Sequence, residues 1–192
     1  MYHKASGEEE KVKIIVISGP SGSGKSTIAS KVEQSDPGKY EIVRSFTTRK
    51  PRTENEFYTF VSNEEFERME NEGLFLETNV YNGNNSRYGT PRPEVERIIK
   101  EGKSPILEID VHGREQVAEW ILDHPEHSLQ SIFISVPPDI LKKRLTDRGD
   151  APASIEQRLK AAAEEVKSAE RYDAIVVNDE LERAVSEVTS LL

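Results

Sequence analysis

The sequence predicts an α/β fold, a mostly parallel β-sheet covered on both faces by helices. Three observations carry this. Strand-like and helix-like segments alternate along the 192 residues. Residues 14–17 (Ile-Ile-Val-Ile) form an unbroken apolar run of the kind that makes a strand buried on both faces. A glycine-rich turn and then a helical pattern follow it directly, the order strand, turn, helix that opens a parallel α/β sheet.

The first strand covers residues 12–18 and the turn residues 19–25. A helix begins near Lys25 and runs to about residue 34, where Asp36-Pro37-Gly38 breaks it. Residues 40–43 read as the second strand. Residues 44–93 differ in texture. Short strands around 57–61 and 74–80 flank one helix, with Ser62 and Glu65 spaced as a capping box and Gly73 as its stop. Asn82-Gly83-Asn84-Asn85 marks a loop. This segment is predicted to be an insert on the parallel sheet.

Pro93 suits the first turn of a helix with apolar positions Val95, Ile98 and Ile99, closed by Gly102. Residues 105–111 are predicted as a strand, 114–122 as a helix, and 129–136, rich in β-branched residues, as a strand. Residues 139–148 then read as a helix. Ser154 and Gln157 suggest a second capping box, ahead of a helix burying Ile155, Leu159, Ala162, Val166 and Ala169. Residues 174–177 are the last strand and 181–191 the last helix.

Composition narrows the class. Hydrophobic residues are 35% and charged residues 32%, which predicts a soluble, rather polar globular protein. A net charge of −9 speaks against non-specific binding to nucleic acid or anionic membrane. No apolar run is long enough to span a bilayer and no signal-peptide pattern opens the chain. Cysteine is absent, which excludes disulfides and thiolate metal sites and fits a cytoplasmic home. Residues 1–11, polar and Glu-rich, are predicted to be a flexible tail, and residues 12–192 one domain.

Gly19-Pro20-Ser21-Gly22-Ser23-Gly24-Lys25-Ser26 matches G-x-x-x-x-G-K-[ST] in full. Its glycines let successive backbone N–H groups turn inward on phosphate oxygens, and the following helix offers its positive end. Lys25 is expected to reach the β- and γ-phosphates of a nucleoside triphosphate, and the Ser26 hydroxyl to ligate Mg²⁺. The motif alone does not name the reaction. Two basic clusters also stand out, Arg44 with Arg49, Lys50 and Arg52, and Lys142 with Lys143, Arg144 and Arg148. By themselves they read as solvated basic surface.

The longer pattern resembles the guanylate kinase family. The resemblance runs through Gly19 to Thr27, then Ser45-Phe46-Thr47-Thr48-Arg49-Lys50-Pro51-Arg52, similar to the family's S-x-T-T-R-x-P-R. It continues through Tyr58-x-Phe60, Phe75-Leu76-Glu77, Tyr88-Gly89-Thr90 and Ile109-Asp110-Val111-x-Gly113. It ends with Arg144, Arg148-Gly149, Arg158 and Val177-Asn178-Asp179. The resemblance implies a three-layer P-loop kinase. Its core would be residues 12–43 and 94–192, a nucleoside-monophosphate-binding insert about 44–93, and a mobile lid about 144–158. The implied reaction moves the γ-phosphoryl group of ATP to GMP with Mg²⁺.

By the same resemblance, Gly19, Ser21, Gly22, Ser23, Gly24, Lys25, Ser26, Thr27 and Asn178 serve ATP. Arg49, Arg52, Tyr58 and Tyr88 hold the GMP phosphate, for which guanidinium forks and phenol hydroxyls are suited. Glu77 accepts from guanine N1–H and N2–H₂, while Ser45 and Thr90 supply hydroxyls. Adenine, with an acceptor at N1, would leave that carboxylate unpaired. Glu108 and Asp110 end a strand where open parallel sheets place ligands, one serving guanine and the other the base or the metal's water shell. Lys25, Arg49, Arg144, Arg148 and Arg158 carry catalysis, the last three closing from the lid.

His3, His112, His124 and His127 lack metal-ligand spacing and read as tail, turn and surface residues, and Trp120 as core. The loop between Arg52 and Tyr58 is shorter than is usual in the family, and the one between Glu77 and Tyr88 longer. Two other readings share the fold: a kinase for another phosphorylated acceptor such as ribose 1,5-bisphosphate, and a non-catalytic scaffold domain. The partners expected are ATP and GMP, with no nucleic acid or membrane, in a monomer or homodimer.

Overall fold

Residues 14–17 have no polar side chain to leave in water, and the chain buries all four completely. The structure, a computed structural model, describes residues 11–51, 57–81 and 85–192. Its first half runs β1 (Val12–Ser18), α1 (Lys25–Ser35), β2 (Tyr40–Ile42), β3 (Ser45–Thr47), β4 (Tyr58–Phe60), α2 (Asn63–Asn71), β5 (Phe75–Tyr81), β6 (Ser86–Pro91) and α3 (Arg92–Lys100). Next come β7 (Ser104–Glu108), α4 (Val111–Leu122), β8 (His127–Ser135), α5 (Pro138–Asp147), α6 (Pro152–Glu165), a 3₁₀ turn (Val166–Arg171), β9 (Ala174–Val177) and α7 (Leu181–Ser190).

β1 is the central strand of a fully parallel sheet ordered β2-β7-β1-β8-β9. Its side chains alternate between two cores, as the period of two requires. Ile14 and Val16 pack with Val95 and Ile98 of α3, Val117 of α4, and Phe133. Ile15 and Ile17 pack with Ile28 and Val32 of α1 and with Ala184 and Val188 of α7. Each such side chain contributes about 1.5–3 kcal/mol of burial free energy. Phe133 is fully buried and meets Tyr172 edge-on, with centroids 5.3 Å apart. Phe133→Ala is expected to cost about 3–5 kcal/mol, read from urea unfolding.

A second sheet, ordered β4-β3-β6-β5, stands on the first. It has its own small core of Phe66, Met69 and Phe75, in which Phe66 and Phe75 stack at 4.5 Å. Gly89 on β6 has no side chain because the Phe75 ring covers it; a Cβ there would lie 2.7 Å from the ring. Strand β5 is tied to the main body by Gln116 of α4. The Gln116 amide accepts from Thr78 N–H at 3.1 Å and donates to Thr78 C=O at 2.9 Å, as a neighbouring strand would. A fourth cluster joins Leu141 and Leu145 of α5 to Ile155 and Ala162 of α6.

Several local expectations need correction. Strand β7 stops at Glu108 rather than residue 111, and α4 begins at Val111 rather than residue 114. Asp110 is the cause: its carboxylate accepts from Gly113 N–H at 2.9 Å and caps the helix. Helix α6 has its N-cap position at Ala151 with Pro152 in its first turn, so Ser154 is no cap. The helix gives way to the 3₁₀ turn at Val166, which is exposed. Ser62 does cap α2, accepting from Glu65 N–H, but the Glu65 carboxylate pairs with Arg68 instead of closing the box. Strands β3 and β6 escaped the sequence pattern. His124 and His127 are half-buried, stacked with Trp120 at 3.7 and 5.8 Å, rather than free on the surface. Residues 1–10 of the expected tail and most of the Asn-Gly loop (82–84) lie outside the described residues.

Candidate active site

Parallel sheets direct the carboxyl ends of their strands to one edge, and there the phosphate loop and Glu108 meet. The loop leaves β1 between close neighbours. Gly19, at φ 139°, lies so near β8 that a Cβ would come 2.2 Å from the Ile134 carbonyl oxygen. Gly24, at φ 94°, precedes α1, whose first N–H groups have no side-chain cap and point into the loop. The Lys25 ammonium donates to the carbonyl oxygens of Gly19 and, at 3.0 Å, Pro20. Burial pushes its pKa down, and Glu108, Glu165 and Asp110 partly offset this by favouring the charge. Ser26 Oγ donates to Glu108 Oε2 at 2.7 Å. The Glu108 carboxyl is pushed up by burial, against that hydrogen bond and the pull of Lys25.

Across a cleft of about 590 Å³ the second sheet presents Ser45, Arg49, Tyr58, Glu77 and Tyr88. Arg49 is 8% exposed. Its Nε donates to the Tyr88 hydroxyl at 3.2 Å, its Nη1 donates to Lys50 C=O at 2.8 Å, and its guanidinium lies over the Tyr58 and Phe60 rings at 5.5 Å. Packing among rings and carbonyls restrains the guanidinium fork in one orientation. Glu77, 4% exposed, accepts a 2.6 Å hydrogen bond from Thr90 Oγ1. Burial pushes its carboxyl up to about 7, aided by nearby Asp110 and opposed by Thr90. Gly113 makes room for it: a Cβ there would sit 2.7 Å from Glu77 Oε2. The third wall comes from α5 and α6, which bring Arg144, Arg148 and Arg158 to the same cleft. Arg158 Nη1 donates to Ser21 Oγ at 2.7 Å, and Arg144 Nη1 reaches Ser23 C=O at 3.4 Å.

Thus the fold gathers Gly19, Ser21, Gly22, Gly24, Lys25, Ser26 and Thr27 with Ser45, Arg49, Tyr58, Glu77 and Tyr88, Glu108, Asp110 and the three arginines. Ser23, Thr90 and Asn178 are buried behind that lining. Thr90 spends its hydroxyl proton on Glu77, and Asn178 Nδ2 donates to Ser23 C=O at 2.7 Å, bracing the loop. Arg52 lies outside the described residues.

Sequence reasoning missed Asn79, Tyr81 and Glu165, all of which line the cleft. The signal was periodicity. Glu77, Asn79 and Tyr81 alternate on one face of β5, and Glu165 follows Arg158 by two helical turns. Asn79 donates through Nδ2 to Asp110 Oδ2, which links β5 to the cap of α4. Glu165 has its pKa raised by burial and faces Lys25.

Among the described residues, no group of three or more His, Cys, Asp or Glu is arranged to hold a metal. The Ser26–Glu108 pair beside the phosphate loop does fit Mg²⁺, which takes few protein ligands and completes its shell with water and phosphate oxygens.

A family model described as guanylate kinase matches residues 11–192. The chain is 39% identical over 186 residues to a guanylate kinase of Lactobacillus johnsonii, covering 93% of this chain and 87% of that one. It is 43% identical over 185 residues to one of Gloeobacter violaceus, covering 94% and 86%. A crystal structure of guanylate kinase from Anaplasma phagocytophilum superimposes with a TM-score of 0.72 at 29% identity, covering 94% of this chain and 84% of that one.

Proposed function

The chain belongs to the guanylate kinase family, and on that premise we propose how its cleft transfers the γ-phosphoryl group of ATP to GMP. The reaction makes ADP and GDP. The family match favours this activity over a ribose 1,5-bisphosphate kinase or a scaffold domain.

The observation that carries the site reading is the pair of facing cradles: half-buried Lys25 and the glycine loop on one wall, buried Arg49 and Glu77 on the other. ATP phosphates lie against the loop amides and Lys25. Ser26, backed by Glu108, would hold Mg²⁺, which would supply positive charge to the ATP phosphates. Residues 44–93 form the GMP insert. Arg49, with Arg52, Tyr58 and Tyr88, binds the acceptor phosphate, and Glu77 and Ser45 read guanine, with Thr90 fixing the carboxylate. Asp110 and Asn79 brace that wall.

The attacking phosphate oxygen has a second pKa of about 6 and is already ionised at neutral pH, so no general base is required. The protein's part is to align two polyanions and spread charge from the moving group. Arg144, Arg148 and Arg158 do so from a lid of residues 144–158 that also sheds water. Among the described residues, no helix is long and apolar enough to cross a membrane. We place the enzyme in the cytoplasm on the separate ground that its proposed substrates, ATP and GMP, are there.

A coupled assay with ATP and Mg²⁺ tests the acceptor. GMP is expected to be used at least about a hundredfold better, in kcat/KM, than AMP or ribose 1,5-bisphosphate. Equal use of AMP would refute base reading by Glu77, and preference for the sugar bisphosphate would refute the guanine site itself.

A further inference from the structure

The reaction above gives Asp150 no part, yet its carboxylate is where two lid arginines meet. Asp150 lies in the corner between α5 and α6, just beyond Gly149, whose φ of 85° turns the chain. Its side chain is 13% exposed. Arg148, at the end of α5, donates to it fork to fork, Nε to Oδ1 at 2.8 Å and Nη2 to Oδ2 at 2.5 Å. Arg158, on α6, brings Nε to 3.1 Å from the same Oδ2 and donates it to Ser154 Oγ at 3.2 Å. The far side of the Arg158 guanidinium reaches the phosphate loop through Ser21. The carboxylate therefore occupies the Nε edge of Arg148 and pairs with Arg158 beside its bond to Ser154. Both arginines line the cleft, and Arg158 Nη1 is turned to the phosphate loop.

We propose that Asp150 is a positioning residue that locks Arg148 and Arg158 into one cationic unit aimed at the phosphate loop. The proposal rests on the reading of those arginines as contacts of the transferring phosphoryl group. Two neighbouring guanidinium groups repel, and ordering two long side chains costs rotamer entropy. A shared carboxylate removes the repulsion and orders both forks before nucleotide arrives. It also makes the two arginines, one from each helix, move together when the lid moves.

The test is steady-state kinetics of the full chain with ATP, Mg²⁺ and GMP, with thermal unfolding to confirm that each variant is folded. Asp150→Asn keeps the shape and removes the charge. Its kcat is expected to fall about ten- to a hundredfold. The KM for GMP stays within about twofold, because the acceptor wall is on the other sheet. Asp150→Glu, which restores the charge, recovers part of the lost kcat. In an Arg148→Ala/Arg158→Ala background, Asp150→Asn causes no further loss, because its effect runs through those side chains. Full kcat in the double-arginine variant would overturn the lid reading and the proposal with it. Impaired arginine variants beside a fully active Asp150→Asn would overturn the proposal alone. So would an equal loss from Asp150→Asn in both backgrounds.

Discussion

Lys25→Ala is expected to lower kcat by about a thousandfold while leaving the KM for GMP within about twofold. Lys25 is the one basic residue of the phosphate loop, at the first position of α1. Its ammonium is held by loop carbonyls, and Glu108, Glu165 and Asp110 favour its charge against the effect of burial. Alanine removes the cation that meets charge on the transferring group and leaves those three acids facing the triphosphate. Glu77, Ser45 and Arg49 stand on the opposite sheet, so GMP still binds. Steady-state kinetics with calorimetry of GMP binding separates the two effects. A variant that turns over normally would show that the triphosphate lies elsewhere.

Glu77→Gln is expected to lower kcat/KM for GMP by about a hundredfold. An ionised carboxylate accepts from both guanine nitrogens, whereas an amide offers one acceptor and sets an N–H₂ against a donor. The same group dictates a pH dependence. Its pKa of about 7 in the free protein means that acid protonates it just below neutrality, and GMP binds the ionised form. The KM for GMP therefore rises about tenfold per unit as pH falls below that value. Protonation of the GMP phosphate, with a pKa of about 6, adds a second inflection. Glu77→Gln removes the upper inflection and keeps the lower.

Stability moves the other way. A carboxyl whose pKa is raised by folding favours the native state at low pH. That contribution is lost as pH rises through about 7. Glu77→Gln should consequently make the ligand-free protein more stable at pH 8, by up to about 3 kcal/mol, and leave it unchanged near pH 4. Denaturant titration at the two pH values reads both. A destabilised variant at pH 8 would mean that Glu77 is stabilised, not strained, as an anion.

Such strain is a property of assembly that one residue's identity cannot announce. The parallel sheet was legible because its strands are local and apolar. The second sheet was only half legible. Strand β6 contains Gly89 and Pro91, poor strand formers, and exists because β5 and β3 pair with it and Phe75 covers the glycine. Asp110 looked like a strand end because Ile109 and Val111 flank it, but its carboxylate was already committed to the helix that follows. On the donor side the contiguous motif sufficed. Across the cleft, Arg49 and Glu77 stand out only through the family pattern, and Asn79, Tyr81 and Glu165 only through the strand and helix periods that bring them to the same lining. The bond from Arg158 to Asp150 crosses the corner between two helices, and no spacing rule foretells it.

The most direct measurement is a crystal structure with a bisubstrate analogue, adenosine and guanosine joined through a polyphosphate. The account predicts the guanine edge within about 3 Å of the Glu77 carboxylate, and the phosphate chain running from the amides of residues 19–26 to Arg49. A guanine bound away from Glu77, or phosphates that bypass Lys25, would contradict it.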